Sequence, residues 1–303
     1  MRLLPGAPLA RATSLRIGGP AELLVEATSE RAVALAVGAA SEVGVALEVL
    51  GLGSNVLVPD EGLGGVILRL AGDLKRVRIR GRRVSAGGGA ALAQVARKAA
   101  KAGLAGLEAL SGFPSTVGGG VFMNAGCYGT EIRDVLVSAR VVERSGARRR
   151  MATAELEPRY RSTNLEQSRA IVVRALFELL PGDWRALVAR IDELNAKRRA
   201  ALPSGQPNAG SIFKNPPGDY AGRLIEAVGL KGERRGGAAI SERHANVIVN
   251  LGGARAEDVL ALMAEAHRRV AARFGVELEP EVVLLGGLAS RWRTLVFGAA
   301  NPR

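Results

Sequence analysis

The chain has 303 residues, of which 48% are hydrophobic and 23% are charged, so it has the composition of a globular protein with room for two or three domains. Its formal net charge is +13 and its pI is about 10.9, which makes an anionic small molecule or a nucleic acid a candidate ligand. The one cysteine, Cys127, excludes a disulfide within the chain and fits a reducing compartment.

Strand-type and helix-type patterns alternate through the first half of the chain. They predict strands at 21–27 and 64–70, a strand that runs into a glycine turn at 46–55, a helix at 30–43, and a hairpin from Lys75 that turns at Gly81. An amphipathic pattern then predicts a helix from Leu92 that is closed by glycine. This alternation indicates an α+β or α/β fold.

The second half continues the alternation. Strands are predicted at 134–146, 170–180, 246–252 and 276–286, and helices at 183–202, 219–230 and 256–275. The segment from Ala109 to Thr130 carries no charge, but its glycines, its proline and its polar residues exclude a membrane helix. The N-terminus lacks the apolar core of a signal peptide. We therefore expect a cytoplasmic protein without a membrane segment.

Two glycine-rich segments are candidates for binding a phosphorylated ligand. The first is LGLGSNVLV at 50–58, and the second is SGFPSTVGGGVFMNAGCYG at 111–129. Glycine lets backbone N–H groups approach phosphate closely, and Ser or Thr adds hydroxyl donors. Neither segment is a Walker A loop or a Rossmann fingerprint. Either could be a tight turn, but together they favour a dinucleotide whose pyrophosphate is held mainly by backbone.

Eight motifs occur in the order of one known family: SLRIGGPAELLVE, LGLGSNVLVPD, SGFPSTVGGGVFMNAGCYGTEI, YRST, NAGSIFKNP, AGRLIEAVGLKG, SERHANVIVN and LEPEVVLLG. They extend from about residue 14 to residue 286. On these motifs the chain closely resembles the UDP-N-acetylenolpyruvoylglucosamine reductases, also called UDP-N-acetylmuramate dehydrogenases, which make a peptidoglycan precursor for the bacterial cell wall.

The resemblance implies an α+β fold in three domains. Two would form an FAD-binding unit of the PCMH type, as in vanillyl-alcohol oxidase, at 1–72 and 73–200. The third, at 201–286, would bind the UDP-sugar, and residues 287–303 would pack back on the first. Residues 162–210 contain no tyrosine and no long insertion, which resembles the shorter subclass that lacks a tyrosine-bearing lid loop.

The resemblance also implies the chemistry. NADPH reduces a non-covalently bound FAD and leaves; the enolpyruvyl ether of UDP-N-acetylglucosamine then accepts hydride at its CH₂ carbon and a proton at the adjacent carbon, giving UDP-N-acetylmuramate. Arg161 of YRST and Glu281 of EPEV match the residues that stabilise charge on the substrate carboxylate. Ser211 of AGSIFKNP matches the proton donor, with Lys214 nearby.

The binding residues carried over by the resemblance lie in the same motifs. For the UDP-sugar and NADPH phosphates the candidates are Arg199, Lys214 and Asn215, with Lys231 as a further one. Tyr160 is a further candidate for binding the substrate. For FAD they are Gly51, Gly53, Ser54, Asn55, Gly112, Pro114, Ser115, Thr116, Gly118, Gly119, Asn124, Ala125 and Gly126. His244 and His267 have no metal-ligand spacing with acids or with Cys127, so no metal site is expected.

Two alternatives remain at the level of the sequence. One is an oxidase of the same FAD-binding fold, which needs both glycine loops but not Arg161, Ser211 and Glu281 together. The other is a polyanion or nucleic-acid binder that uses the positive charge, although aromatic residues are only 4% and no nucleic-acid-binding motif is present. The motifs favour the reductase acting on small molecules, as a monomer and without nucleic acid.

Overall fold

The structure is a computed structural model that describes residues 1–203 and 205–298. Its helices are α1 Glu30–Glu42, α2 Leu92–Lys101, α3 Val117–Phe122, α4 Leu165–Ser168, α5 Trp184–Ala201, α6 Ala221–Ala227, α7 Ala256–Phe274 and α8 Leu288–Phe297. Within these residues, no helix is both long enough and apolar enough to cross a bilayer.

The strands are short, and many are only two residues long. They are β1 Arg2–Pro8, β2 Pro20–Ala27, β3 Leu47–Val49, β4 Val56–Leu57, β5 Leu63–Leu70, β6 Val77–Arg80, β7 Arg83–Gly87, β8 Leu104–Ala105, β9 Gly126–Cys127, β10 Thr130–Glu131, β11 Leu136–Val142, β12 Arg148–Ala152, β13 Ile171–Glu178, β14 Leu180–Pro181, β15 Asn208–Ser211, β16 Arg234–Arg235, β17 Ala238–Ile240, β18 Val247–Asn250 and β19 Val283–Leu284.

The chain divides into two compact units. The first comprises Met1–Pro5, Leu23–Leu52 and Gly65–Arg198; the second comprises Gly6–Glu22, Gly53–Gly64 and Arg199–Arg303. The division into three domains therefore stays a prediction. The glycine segment at 50–58 is itself divided, with Gly51 in the first unit and Gly53 in the second.

The first unit contains a four-stranded sheet in the order β1-β2-β5-β3 and a five-stranded antiparallel sheet in the order β12-β11-β13-β7-β6. The predicted hairpin is confirmed, because β6 and β7 pair as far as Arg80 and Arg83 and Gly81 has a φ of +54°. Helix α1 begins where the Ser29 hydroxyl accepts a hydrogen bond from the Ala32 N–H at 3.2 Å. Its buried stripe at 32, 33, 36, 37 and 40 packs into the core beside the first sheet.

The second unit contains the antiparallel sheet β15-β18-β17-β16, and helices α6, α7 and α8 contribute to its core. A long strand predicted at 276–286 is wrong, because only β19 pairs regularly there, in parallel with β4. Upstream of β19, the backbone of Glu279 and Glu281 instead bonds to residues 212–214. At the end of the chain, Leu288 and Trp292 of α8 enter the core of this unit. Residues 299–303, part of the predicted C-terminal segment, lie outside the described residues.

Candidate active site

In the second unit, Ser211 ends strand β15 just after an irregularity in the sheet. The pairing of β15 with β18 shifts register between Asn208 and Ser211, and Gly210 has a φ of +74°. The Asn208 side chain accepts a hydrogen bond from the Gly210 N–H at 3.0 Å, which fixes this turn. A bulge of this kind redirects the side chain that follows it, so local structure sets the direction of the half-buried Ser211.

The chain around Glu281 runs beside the segment that follows Ser211. The Glu281 N–H donates to the carbonyl of Ile212 at 2.7 Å, and the Lys214 N–H donates to the carbonyl of Glu279 at 2.8 Å. Phe213 and Pro280 form an isolated bridge between these bonds. The structure therefore brings together two predicted catalytic residues that are 70 positions apart in the sequence.

Asn246 fixes the position of this segment, although it is not among the residues predicted from the sequence. Its side-chain amide donates to the Phe213 carbonyl at 2.8 Å, and its side-chain oxygen accepts from the Phe213 N–H at 2.9 Å. Its backbone carbonyl accepts from the Ile212 N–H at 2.9 Å. Asn246 is only 3% exposed. A polar amide in the otherwise apolar run NVIVN is the one sequence feature that could have pointed to it, because a buried amide needs hydrogen-bond partners.

Two of the predicted phosphate-binding residues of this unit, Lys214 and Asn215, make side-chain contacts within the protein, and a third, Arg199, is exposed. Lys214 Nζ lies 2.5 Å from a Glu279 carboxylate oxygen. The Asn215 side chain accepts from the Ala221 N–H at 3.1 Å and so holds the start of α6. Arg199 lies exposed near the end of α5. Lys214 and Asn215 thus share one chain segment with Ser211, whereas Arg199 comes from a helix.

In the first unit, Arg161 occupies a tight turn with a left-handed backbone. Arg159 and Ser162 exchange both backbone hydrogen bonds, at 2.9 and 3.3 Å, and Arg161 has a φ of +56°. Its guanidinium donates to the Gly126 carbonyl at 3.0 Å and lies 5.0 Å from the centre of the Tyr160 ring. Strained backbone at a non-glycine residue is frequent at functional sites, and here it places Arg161 beside the predicted FAD loop.

Buried bonds hold that part of the loop in place. Asn124 is 1% exposed and has a φ of +41°. Its amide donates to a Glu131 carboxylate oxygen at 2.9 Å and to the Arg159 carbonyl at 3.0 Å, and its oxygen accepts from the Arg133 N–H at 3.0 Å. These bonds give Asn124 a structural role, because they join the loop to the turn that carries Arg161.

The glycine-rich helix α3 uses most of its first N–H groups within the protein. The Gly118 N–H donates to the Gly88 carbonyl at 2.7 Å, and the Gly119 N–H donates to the Thr116 hydroxyl at 3.1 Å. A Cβ on Gly118 would lie 3.0 Å from the Gly88 carbonyl oxygen, so this glycine is needed for close packing. Gly119 is exposed and a Cβ there would meet only the hydroxyls of Ser115 and Thr116 at 3.4 and 3.3 Å.

The two predicted FAD loops touch within the first unit. A Cβ on Gly51 would lie 2.9 Å from Thr116 Oγ1, so only glycine allows this approach. A Cβ on Gly112 would lie 3.1 Å from the side-chain oxygen of Asn195 on α5. The two segments, which are about 60 residues apart, therefore meet through their glycine and hydroxyl positions.

In the second unit, the remainder of the first loop is tied to two other segments. Gly53 has a φ of +63°, and a Cβ there would lie 2.1 Å from the Ala12 carbonyl oxygen. The Asn55 amide donates to the Glu281 carbonyl at 3.0 Å, and the Asn55 carbonyl accepts from the Val283 N–H at 3.0 Å. A predicted FAD residue is thus bonded to the backbone of a predicted catalytic residue.

Comparison with known proteins gives matches along most of the chain. A model of the UDP-N-acetylenolpyruvoylglucosamine reductase C-terminal domain matches residues 202–285, and a model of an FAD binding domain matches residues 21–152. UDP-N-acetylenolpyruvoylglucosamine reductase 2 of Symbiobacterium thermophilum is 46% identical over 285 residues, covering 94% of this chain and 92% of that protein. The reductase of Rubrobacter xylanophilus is 47% identical over 290 residues, covering 94% and 97%.

The chain belongs to the UDP-N-acetylenolpyruvoylglucosamine reductase family. The crystal structure of the reductase from Thermus caldophilus superimposes with a TM-score of 0.81 at 38% identity, covering 94% of this chain and 98% of that one. The predicted family and the predicted α+β fold with a PCMH-type FAD-binding unit are confirmed. The assignments of individual site residues stay predictions.

The residues of this reductase fit an FAD. Asn124 is buried and its side chain bonds within the protein, so its side chain does not fit the predicted role in binding FAD. The other polar side chains proposed for FAD, Ser54, Asn55, Ser115 and Thr116, are all neutral hydrogen-bonding groups, and the segment 109–130 carries no acid that would repel a pyrophosphate. Gly119 leaves an exposed, side-chain-free surface beside two hydroxyls. The part of the chain that the structure describes holds no cluster of three or more His, Cys, Asp or Glu residues able to bind a metal ion.

Proposed function

We propose that this reductase performs the reaction of its family with Arg161, Ser211 and Glu281 as its catalytic residues. The reaction is the NADPH-dependent reduction of the enolpyruvyl ether of UDP-N-acetylglucosamine to UDP-N-acetylmuramate, a step in peptidoglycan synthesis. FAD, held by the two glycine-rich loops, would supply the hydride transfer between NADPH and the CH₂ carbon of the enolpyruvyl group. The chain's own residues bind the two substrates, stabilise charge and supply the proton.

The observation that carries the residue assignment is the hydrogen bond from the Glu281 N–H to the Ile212 carbonyl, at 2.7 Å. It places the carboxylate-bearing residue beside the residue that follows Ser211, so a hydroxyl and a carboxyl group belong to adjoining backbone. Reduction of a carbon–carbon double bond conjugated to a carboxylate needs a proton at the carbon next to that carboxylate. We assign this proton to the Ser211 hydroxyl.

Arg161 and Glu281 are assigned to the substrate carboxylate. When hydride arrives at the CH₂ carbon, negative charge moves onto the carboxylate as an enol-like species forms. A guanidinium offers two parallel donors to such a group, and a carboxyl group that holds a proton adds a third. The Gly126 carbonyl and the Tyr160 ring fix the guanidinium of Arg161 before substrate binds.

We assign to Lys214 the stabilisation of the serine alkoxide. It lies three residues from Ser211, and its ammonium is paired with Glu279, which also anchors the backbone of Lys214. As the proton leaves Ser211, the nearby cation stabilises the developing negative charge. Lys214, Asn215, Arg199 and Tyr160 are assigned to the UDP-sugar and to the NADPH phosphates, which use the pocket in turn.

The FAD assignment uses the residues that the structure joins by contact. Thr116 and Gly51 touch within the first unit. Within the second unit, Asn55 is bonded to the Glu281 carbonyl, so the stretch that carries Asn55 also restrains the segment that carries Glu281. The pyrophosphate is assigned to Ser54, Asn55 and the exposed surface at Gly119. The N–H groups of Gly118 and Gly119 already donate within the protein, and the Ser115 hydroxyl donates to the Thr116 carbonyl at 2.9 Å, so the assignment to Gly119 uses its exposed surface and not its N–H group.

Replacing Ser211 by alanine tests the proton-donor assignment. The reduction of bound flavin by NADPH involves no proton at the substrate carbon, so S211A should keep its flavin content and its NADPH rate. Reoxidation by the enolpyruvyl UDP-sugar should slow by about 10²–10⁴-fold, the usual contribution of a positioned acid. Anaerobic stopped-flow absorbance of the flavin measures both half-reactions.

The two half-reactions serve as each other's control. Ser290→Ala, on the exposed side of α8, should leave both rates at the wild-type level and shows the effect of losing a remote hydroxyl. Equal slowing of both half-reactions in S211A would mean that Ser211 shapes the pocket and donates no proton. Unchanged reoxidation would remove Ser211 from the mechanism.

We also propose that the enzyme works as a monomer in the cytoplasm. NADPH and nucleotide sugars are cytoplasmic metabolites, and the family motifs that carry the assigned residues occur together in this one sequence. Light scattering coupled to gel filtration should give a mass close to the 31.6 kDa of the chain plus its flavin. A dimer whose dissociation abolishes activity would contradict the monomer.

A further inference from the structure

The C-terminal helix α8 lies beyond residues 202–285, which match the C-terminal domain of the family. Its inner side is part of the core of the second unit, where Leu288 is fully buried and Trp292 is 6% exposed. The Trp292 ring lies 6.0 Å from the ring of Phe213 and 5.7 Å from that of His267. These apolar contacts hold α8 in place independently of its charged residues.

Arg291 projects from α8 to two carboxylates that belong to different segments. One guanidinium nitrogen bonds to Glu257 at the start of α7, and the other bonds to Glu61. Glu61 lies in the segment Gly53–Gly64, the same continuous stretch that carries Gly53, Ser54 and Asn55. Arg291 thus links α8 directly to the stretch assigned to the FAD pyrophosphate.

Other contacts fix this stretch near the same place. The Ala256 N–H, at the start of α7, donates to an Asp60 carboxylate oxygen at 2.9 Å, and Arg255 Nε lies 3.6 Å from Asp60. Upstream, the Ser14 N–H donates to the Gly53 carbonyl at 2.9 Å. The stretch is anchored near both ends, and Arg291 supplies a further side-chain anchor just after Asp60.

We infer that Arg291 is a positioning residue for FAD binding, acting through Glu61 on the cofactor-binding stretch Gly53–Gly64. The serine and the asparagine of this loop must be correctly oriented to bind a pyrophosphate. If the loop becomes ordered only when FAD binds, the entropy lost on ordering reduces the affinity for FAD. The guanidinium holds Glu61 at a fixed distance from α8 and so restricts the stretch in the free protein. This inference rests on the proposed role of Ser54 and Asn55.

The test compares variants of the intact holoenzyme. Arg291→Ala should leave the fold intact, because Leu288 and Trp292 still bury α8. FAD release on dilution, followed by the rise in free flavin fluorescence, should give a dissociation constant about two- to five-fold higher, the range expected of an exposed ion pair. Glu61→Gln should have the same effect, and the double variant should be no worse than either single one.

Two controls separate positioning from general stability. Glu257→Gln removes the other partner of Arg291 and loosens α8 from α7 but leaves Glu61 paired, so its FAD affinity should stay at the wild-type value. Arg293→Ala changes a neighbouring exposed arginine whose side chain reaches Ser290 on the same helix, and it should also have no effect. The unfolding temperature at saturating FAD is recorded for all variants.

Several results would overturn the inference. One is an Arg291→Ala variant with wild-type FAD affinity, and another is an equal loss of affinity in Arg291→Ala and Glu257→Gln, which would make the role purely structural. The double variant Ser54→Ala/Asn55→Ala tests the underlying assignment. If that double variant keeps its affinity, the cofactor stretch itself is misassigned; if it loses FAD while Arg291→Ala does not, only the role of Arg291 fails.

Discussion

At the scale of single residues, Gly119 is the position where one can test most directly whether FAD binding requires glycine, a residue without a side chain. It lies in α3 with an ordinary helical backbone, it is exposed, and an added Cβ meets only two hydroxyls. Gly119→Val should therefore fold. If FAD approaches the loop here, the branched side chain blocks it, and the purified protein should contain little flavin by absorbance.

Gly38→Val is the matched control for this substitution. Gly38 also lies within a helix, α1 of the same unit, and nothing comes within 4 Å of a Cβ built there. The Gly38→Val variant should lose a similar amount of backbone conformational freedom as Gly119→Val, and it should keep its flavin. Normal flavin content in Gly119→Val would show that the pyrophosphate binds elsewhere, whereas flavin loss in both variants would point to a general effect on folding.

The residues of the site differ in how far the sequence could predict them. Ser211, Arg161 and Glu281 are predicted as site residues because they lie in motifs of the family, and the pattern of apolar residues around them does not identify them. Asn246 was missed, because its function is to satisfy the backbone of Phe213, which depends on a contact 33 residues away. The same holds for the irregular pairing of 279–281 with 212–214, which an alternating pattern cannot distinguish from a regular strand.

At the scale of elements, the five helices predicted from periodicity correspond to α1, α2, α5, α6 and α7, whereas α3, α4 and α8 were not predicted. The interface of α7 with α8 adds a dependence on pH. His267 on α7 is 7% exposed and packs edge-on against Trp292 and Phe297 of α8. Burial lowers the pKa of His267 below its ordinary 6.5, and this effect outweighs Glu277, whose charge raises it. The imidazole is therefore neutral in the native protein near pH 7.

The sign of the effect on stability follows from that shift. Because the native pKa is lower than the unfolded one, the unfolded chain binds a proton first as the pH falls through about 6.5. The contribution of His267 to the free energy of unfolding is thus complete at higher pH and is lost below that value. Urea unfolding at about pH 8 and at about pH 5 measures the free energy of unfolding. The decrease in this free energy between the two pH values should be smaller in His267→Gln than in the wild type.

The remaining titrating groups provide the control for this comparison. His244 and all carboxylates are unchanged in His267→Gln, so the difference between the two pH profiles reports His267 alone. Most carboxylates titrate below about pH 5, outside the window used. A variant whose stability falls with pH as steeply as that of the wild type would show that the α7–α8 interface is not sensitive to this proton.

At the scale of the whole molecule, the net charge of +13 distinguishes the protein from an average globular chain. Many of its arginines are paired on the surface: Arg140 with Glu30, Arg149 with Glu155 and Arg97 with Asp192. Such exposed pairs contribute little to stability. The excess positive charge nevertheless produces a field that attracts polyanions, and both substrates of the reductase are polyanions.

Because of this field, we expect salt to weaken the binding of both substrates. Raising the ionic strength from about 0.05 M to about 0.5 M shortens the Debye length from about 14 Å to about 4 Å, so the KM values for NADPH and for the UDP-sugar should both rise by a few-fold while kcat changes little. Steady-state kinetics at a fixed pH measures this.

Lys214→Gln, which removes one assigned phosphate contact, should raise both KM values at low salt and reduce their dependence on salt. KM values that do not respond to salt would mean that the positive charge lies away from the path of the substrates, and a salt dependence for NADPH alone would contradict a shared phosphate-binding pocket.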